Sequence, residues 1–94
     1  MNVTALHEPD RHRFVVRLED GEATLQYNHA GSKTLDFRST FVPEQHRGRK
    51  IGDKLVVDAL AYARTQGYSV IPSCPFVRTV VRRHSEYGDL IVEG

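Results

Sequence analysis

The chain has 94 residues, of which 39% are hydrophobic and 27% are charged, and its formal net charge at pH 7 is +1. This length predicts a single domain over residues 1–94 with one small core. The composition excludes a disordered chain and a membrane-spanning chain, and the charge is too small to indicate a nucleic-acid partner by itself.

The cysteine content and the absence of targeting signals favour the cytoplasm. Cys74 is the one cysteine, which excludes an internal disulfide and suits a reducing compartment. The N-terminal residues contain no basic stretch followed by an apolar run, so no signal peptide is expected. No apolar stretch approaches the roughly 20 residues that cross a bilayer. We therefore expect a cytoplasmic protein with no membrane partner.

The first half of the chain predicts an antiparallel meander. Residues 1–12, rich in charged and histidine side chains, are expected to form a loosely ordered lead-in. From Arg13, and again after the turn at Gly21, apolar and polar residues alternate as in strands, and a third strand is expected over residues 33–42. The side chains predicted to face the core are those of Phe14, Val16, Leu18, Ala23, Leu25, Tyr27, Leu35, Phe37 and Phe41.

The second half predicts helices that alternate with short strands. A helical stripe of apolar residues begins at Ile51 and ends at Gly67, where glycine suits a left-handed C-cap. Residues 68–72 predict a short strand reached by a parallel crossover. Pro75 suits the first position of a second helix, and residues 89–92 predict a last short strand. The expected fold class is therefore α/β, a mixed sheet in which the antiparallel meander is followed by α-β-α-β.

The segment between the third strand and the first helix has the composition of an anion site. Residues 47–52 are Arg-Gly-Arg-Lys-Ile-Gly. The first-turn amides of a helix have no partners within the helix and carry the positive end of its dipole, and glycines allow a phosphate to approach the backbone. The segment predicts a phosphate-bearing ligand. The alternative is a turn shaped by glycines, with a solvated basic surface.

This segment resembles the acetyl-CoA signature of the GNAT superfamily of N-acetyltransferases, Arg/Gln-x-x-Gly-x-Gly/Ala between a strand and a long helix. Arg47 matches the first position and Gly52 the last, whereas Lys50 stands where the family has its middle glycine. The segments Pro-Ser-Cys-Pro-Phe-Val at 72–77 and Arg-His-Ser-Glu-Tyr at 83–87 resemble a subfamily of very short GNAT-like proteins. The resemblance covers residues 13–92.

The resemblance implies a GNAT-like fold and an acetyltransferase that uses acetyl-CoA as cosubstrate. The acceptor is an unidentified amine on a small molecule, a peptide or a protein. In this family the loop amides hold the pyrophosphate of coenzyme A, and the preceding strand pairs with the pantetheine arm. The implied cofactor-binding residues are Phe41, Val42, Arg47, Gly48, Arg49, Lys50, Ile51 and Gly52.

Cys74 and Tyr87 are the candidate catalytic residues. If Pro75 begins the second helix, Cys74 is its N-cap, where the helix dipole favours a thiolate. Cys74 could then be a nucleophile, an acid beside the departing sulfur, or a small buried residue that only fills space. Tyr87 could donate its phenolic proton to the leaving thiolate, or its ring could only pack beneath the last strand. The spacing of the histidines is not that of a metal site, so no metal is expected.

Other interpretations stay open at the level of sequence. A non-catalytic acyl-CoA-binding or regulatory module would keep the loop but need no acid or base. A nucleic-acid-binding domain would use residues 46–50, but it would also expose aromatic side chains on a sheet face, whereas the phenylalanines of the strands lie on predicted core faces. Further candidates for phosphate binding or proton transfer are Glu44, His46, Arg78, Arg82 and Arg83, whereas His84, on the apolar face of the second helix, is interpreted as a hydrogen-bonded structural histidine.

Overall fold

A computed structural model describes residues 4–93, which form a five-stranded sheet in the order β1-β2-β3-β4-β5. The strands are β1 (Leu6–Glu8), β2 (Arg13–Leu18), β3 (Gly21–His29), β4 (Thr34–Phe41) and β5 (Ser69–Ile71). The helices are α1 (Ile51–Gln66) and α2 (Pro75–Arg83), with 3-10 turns at Pro9–Arg11, Glu44–His46 and Ser85–Leu90. None of the helices in this part of the chain is both long enough and apolar enough to cross a membrane.

The predicted meander is confirmed, and so is its core face apart from Phe41. The strands β2, β3 and β4 pair antiparallel in chain order, and their inward side chains form one apolar cluster with α1 and α2. The period of two is visible in the sequence because helices cover only one face of the sheet. The fully or almost fully buried members from these strands are Phe14, Val16, Ala23, Leu25, Tyr27, Leu35 and Phe37.

The helix predicted from Ile51 is also confirmed, together with its end. Its buried stripe recurs every three or four residues and consists of Ile51, Leu55, Val56, Ala59, Leu60 and Ala63. Gly67 takes φ of 77° and its amide bonds to carbonyls of the last turn, as a left-handed C-cap requires. The chain then enters β5, which pairs parallel to β4 as expected.

Part of the expected lead-in is a strand. Residues 6–8 form β1 and pair antiparallel with β2. The His7 ring stacks on Phe14 at a centroid distance of 4.3 Å, and its Nε2 lies 2.6 Å from Tyr27 Oη. A three-residue strand is too short to show alternation, so the sequence pattern does not predict β1 or these contacts. Residues 1–3 of the lead-in lie outside the described part of the chain.

His7 predicts a weakening of the fold in mild acid. Burial, and then repulsion from His29, lowers the pKa of His7 below its ordinary value. The folded chain therefore binds fewer protons at this site than the unfolded chain, and the free energy of unfolding falls as the pH drops below about 6.5. We expect the thermal unfolding midpoint to decrease between about pH 7.5 and pH 5.5. A His7→Asn variant should show a smaller decrease over the same range, and an unchanged slope would contradict this assignment.

Phe41 does not face the core, because β4 contains a bulge. Gln26 of β3 pairs with Ser39, whereas the next residue, Tyr27, pairs with Phe37, which leaves Arg38 as an extra residue. An extra residue reverses the alternation of the strand that follows it. The prediction for Phe41 was therefore wrong, and its side chain is 54% exposed.

The predicted strand at residues 89–92 was wrong for most of its length. Residues 85–90 form a 3-10 turn, and only Ile91 makes a parallel bridge, to Val70. The guanidinium of Arg64 explains the difference, because it donates to Asp89 Oδ1 at 2.7 Å and to the Glu86 carbonyl at 2.6 Å. These bonds hold the segment against the C-terminal end of α1.

Candidate functional site

A cleft opens where β4 and β5 separate. The two strands pair only over residues 34–36 and 69–71, and the bond from the Cys74 amide to the Phe37 carbonyl at 3.0 Å follows this pairing. Beyond that bond lies a cleft of about 560 Å³. It is lined by Thr40, Phe41, Val42, His46, Arg47, Gly48, Lys50, Ile51, Gly52, Asp53, Phe76 and Arg83. All the sequence-predicted cofactor residues except Arg49 thus border one cleft.

The loop before α1 has the backbone geometry of an anion site. Gly48 has φ of 86° and Lys50 has φ of 63°, so two left-handed residues stand just before the helix begins. Left-handed residues that alternate with other backbone conformations are the arrangement in which successive amides can form a concave anion site, and the first-turn amides of the helix have no partners within it. Lys50 therefore adopts the conformation that a glycine would take at no steric cost, and it adds a positive charge.

The strain at Lys50 gives a testable order of stabilities. Because alanine at a left-handed position is strained whereas glycine is not, we expect Lys50→Gly to exceed Lys50→Ala by about 0.5–1 kcal/mol in free energy of unfolding. Lys54, inside α1, provides the matched control, since alanine should exceed glycine there by about 1 kcal/mol. Chemical denaturation of the four variants measures both differences. The same order at both positions would show that residue 50 is not left-handed.

Gly52 permits the close approach of α1 and α2. A Cβ atom at this buried position would lie 2.9 Å from Phe76 Cζ and 3.4 Å from Val42 Cγ2. Both neighbours line the cleft, so any side chain at position 52 would displace a wall of the cleft. At the start of the loop, Arg47 Nε donates to the Val42 carbonyl at 3.0 Å. This bond ties the loop to the residue that follows β4.

The turn between β2 and β3 also holds the chain just before the loop at residues 47–50. Asp20 accepts a hydrogen bond from Gln45 Nε2 at 2.8 Å, and its Oδ1 lies 2.7 Å from His46 Nε2. The bond from His46, followed by that from Gln45, lowers the pKa of Asp20 below its ordinary value. The side chain of His46 is 14% exposed and borders the cleft, so Asp20 holds an imidazole at the edge of the predicted phosphate site.

One arginine of α2 reaches the cleft. Arg83 lines it and donates to Asp53 at 3.0 Å. Arg78 turns away, because its Nε donates to the Pro72 carbonyl at 2.8 Å. Arg82 borders a separate depression beside Pro72. Of the three arginines considered for a ribose phosphate, Arg83 is thus the one placed to meet a ligand in the cleft.

The structure brings Cys74 near the cleft but not onto its lining. Cys74 is the N-cap of α2, as expected if Pro75 begins the helix, and it is 6% exposed. Its Sγ lies 3.6 Å from Oγ1 of Thr40, which does line the cleft. The bulge in β4 turns Thr40 to this side, so the alternation of the sequence gave no signal for it.

Tyr87 is not brought to the cleft. Its half-buried ring lies beneath the Arg64 guanidinium, whose Cζ is 5.5 Å from the ring centroid. Arg64 is in the last turn of α1, 13 residues after Ile51, which corresponds to roughly 20 Å along a helix. The tyrosine therefore borders the opposite end of α1 from the loop.

A family model described as GCN5-related N-acetyl-transferase matches residues 13–90. The chain belongs to the GCN5-related N-acetyltransferase family. Protein NATD1 of Danio rerio is 30% identical to it over 90 residues, which cover 92% of this chain and 82% of that protein. Protein NATD1 of Xenopus tropicalis is 30% identical over 80 residues, which cover 83% of this chain and 73% of that protein.

A solved structure confirms the GNAT-like fold. The solution structure of a GCN5-like putative N-acetyltransferase from Staphylococcus aureus superposes with a TM-score of 0.73, although the sequences are 20% identical. The match covers 99% of this chain and 89% of the other. The mixed sheet expected for a short N-acetyltransferase domain is thus present in a second protein of the same fold.

Proposed function

We propose that this N-acetyltransferase domain binds acetyl-CoA in the cleft beside the end of β4, beyond its pairing with β5, and transfers the acetyl group to an amine. The observation that carries the proposal is that two features border the same cleft. One is the loop at residues 47–50, whose backbone conformation suits a concave run of amides, and the other is the edge of β4 beyond its pairing with β5. The amides suit phosphates, and a strand edge suits a ligand arm that contains amide groups.

The residues of the cleft fit this ligand in shape and in charge. The apolar side chains of Phe41, Val42 and Phe76 provide walls for a pantetheine arm. Arg47 and Lys50 surround the loop amides with positive charge. A Cβ atom at Gly52 would collide with the Phe76 ring, so the packing of α2 and the shape of this wall of the cleft both depend on the glycine.

The chain has to orient the reacting groups rather than supply unusual chemistry. Acetyl-CoA, when bound, supplies a thioester that a neutral amine can attack. Donors must then face the developing negative charge, and a proton must leave the amine. Thr40 presents a hydroxyl at the cleft with Cys74 Sγ behind it. We therefore propose Thr40 as a side-chain donor to the oxygen that becomes negative, and Cys74 as a residue that contacts the Thr40 hydroxyl.

Calorimetric titration with acetyl-CoA tests the proposal. The wild-type protein should bind, and an Arg47→Ala, Gly52→Val variant should bind much more weakly. At one hundred times the dissociation constant the ligand adds about 2.7 kcal/mol of stability, which corresponds to a rise of roughly 10–20 °C in the unfolding midpoint of a domain this small. An Arg82→Ala control should bind as the wild type does. Absence of both heat and thermal shift with the wild type would overturn the proposal.

A non-catalytic acyl-CoA-binding module is the second candidate. It is favoured by the position of Tyr87 away from the cleft, and by the engagement of the cleft's histidine and carboxylate, His46 and Asp53, with Asp20 and Arg83. The two candidates differ in one measurement, the release of free thiol from acetyl-CoA in the presence of varied amines. Binding without thiol release for any amine would establish the module.

A further inference from the structure

A second, polar groove lies on the open face of the sheet. It has a volume of about 530 Å³ and is lined mainly by the 3-10 turn before β2 and by outward residues of β3 and β4. Gln26, Asn28 and Ser39 supply neutral polar groups, and Arg11 and Arg38 supply two guanidinium groups. The groove lies over the bulge, because Arg38 is the extra residue there. Its volume is within the usual range of ligand sites.

The charge of this groove is positive. None of its lining residues is acidic. Within residues 4–93, Arg11 has no carboxylate within ion-pair distance, and Arg38 has one, Asp36, at 3.3 Å. The Arg38 side chain is 57% exposed. Because a guanidinium offers five donors, Arg38 keeps donors for a ligand while it contacts Asp36.

The groove and the acetyl-CoA cleft share β4 as a common wall. Ser39 faces the groove and the next residue, Thr40, lines the cleft. A chain of contacts also joins the groove to the point where β4 and β5 separate: Asp36 accepts bonds from Arg38 and from the hydroxyl of Ser73. Ser73 precedes Cys74, whose amide bonds to Phe37 at the head of the cleft. The inner end of the cleft is the end at the bond between the Cys74 amide and the Phe37 carbonyl. A molecule held in the groove thus lies beside this end, on the face of the sheet opposite α1.

We infer that this groove binds the amine acceptor, and that the acceptor is an acidic peptide whose carboxylates contact Arg11 and Arg38. The inference rests on the proposed function. The peptide amine would extend along Asp36 and Ser73 toward the inner end of the cleft. Carboxylates pair with guanidinium groups in planar, bidentate geometry, and the groove shares β4 with the cleft.

Two peptides of equal size and different charge test the inference. The probes are Ala-Glu-Glu-amide and Ala-Gln-Gln-amide, which carry the same free amine. Their affinities are measured calorimetrically on the protein saturated with coenzyme A, and again without it. The wild type should bind the acidic peptide about five- to tenfold more tightly, as expected for two partly exposed ion pairs. Added salt should weaken only that peptide.

Two double variants show which residues cause the preference for the acidic peptide. An Arg11→Gln, Arg38→Gln variant should bind both peptides equally, whereas a Lys33→Gln, Arg82→Gln control, which removes the same charge elsewhere, should keep the preference. The affinity for acetyl-CoA should be equal in both variants, which verifies that the fold is intact. A preference that survives in the first variant, or no preference in the wild type, overturns the inference. If acetyl-CoA does not bind but the peptide preference behaves as expected, the proposed function fails while the groove assignment holds.

Discussion

Replacing Gly52 with valine is expected to reduce the affinity for acetyl-CoA by roughly five- to one-hundredfold. The new side chain would displace the Phe76 ring, since Cζ lies 2.9 Å and Cε2 3.0 Å from a Cβ at this position. The ring would move into the cleft that it lines. Overpacking of this kind typically costs about 1–3 kcal/mol, and a similar loss in binding free energy corresponds to roughly five- to one-hundredfold in affinity. Calorimetry with acetyl-CoA measures the change.

Two further variants separate the ring displacement from a general loss of structure. Gly88 has nothing within 4 Å of a Cβ atom, so Gly88→Val should bind acetyl-CoA as the wild type does. A Gly52→Ala, Phe76→Leu variant creates room for the new methyl group and should bind more tightly than Gly52→Ala alone. If Gly52→Val kept the wild-type affinity, the close approach of α1 and α2 would have no part in the site.

Replacing Leu55 with alanine is expected to produce a large loss of stability. Leu55 is fully buried in α1, one turn after Ile51. Removing a buried leucine side chain costs about 2–5 kcal/mol, a large share of the total for a small domain. The unfolding midpoint should fall by roughly 10 °C or more, and saturating acetyl-CoA should recover part of the loss because only the folded chain binds it.

Leu6 provides the matched control for this substitution. It is 47% exposed in β1, so Leu6→Ala should cost under about 1 kcal/mol. Denaturant titration of the two leucine variants gives both values on one scale. Equal losses in free energy of unfolding at the two positions would mean that Leu55 is no more buried than Leu6. The core described for the sheet and α1 would then be incorrect.

The parts of the fold that the sequence predicts are those in which burial repeats with the period of the backbone. The side chains of β3 and α1 alternate or recur because a single apolar face runs along each element, and the caps at Gly67 and Pro75 depend on local backbone conformation. The bulge at Arg38 is different, since it is defined by pairing with β3. No property of Arg38 itself indicates that an extra residue stands there.

The same distinction applies to the candidate site. The loop at residues 47–52 could be found because a helix start with glycines and cations has a local chemical meaning. Thr40 could not, because it reaches the cleft only after the bulge reverses the strand. Tyr87 is a candidate proton donor in the sequence, with packing as the alternative, and the contact of its ring with Arg64, 23 residues earlier, places it at the far end of α1.

The bulge also divides β4 into two stretches, and the residues that face the helices have odd numbers in the first stretch and even numbers in the second. Before Arg38 the odd-numbered residues Leu35 and Phe37 point toward the helices, and after it the even-numbered Thr40 does. Deleting Arg38 would remove the extra residue and restore a single alternation, in which Phe37 and Thr40 still face the helices and Phe41 still faces outward. The bulge therefore takes up one residue of chain length while the pairing of β4 with β3 is kept on both sides of it.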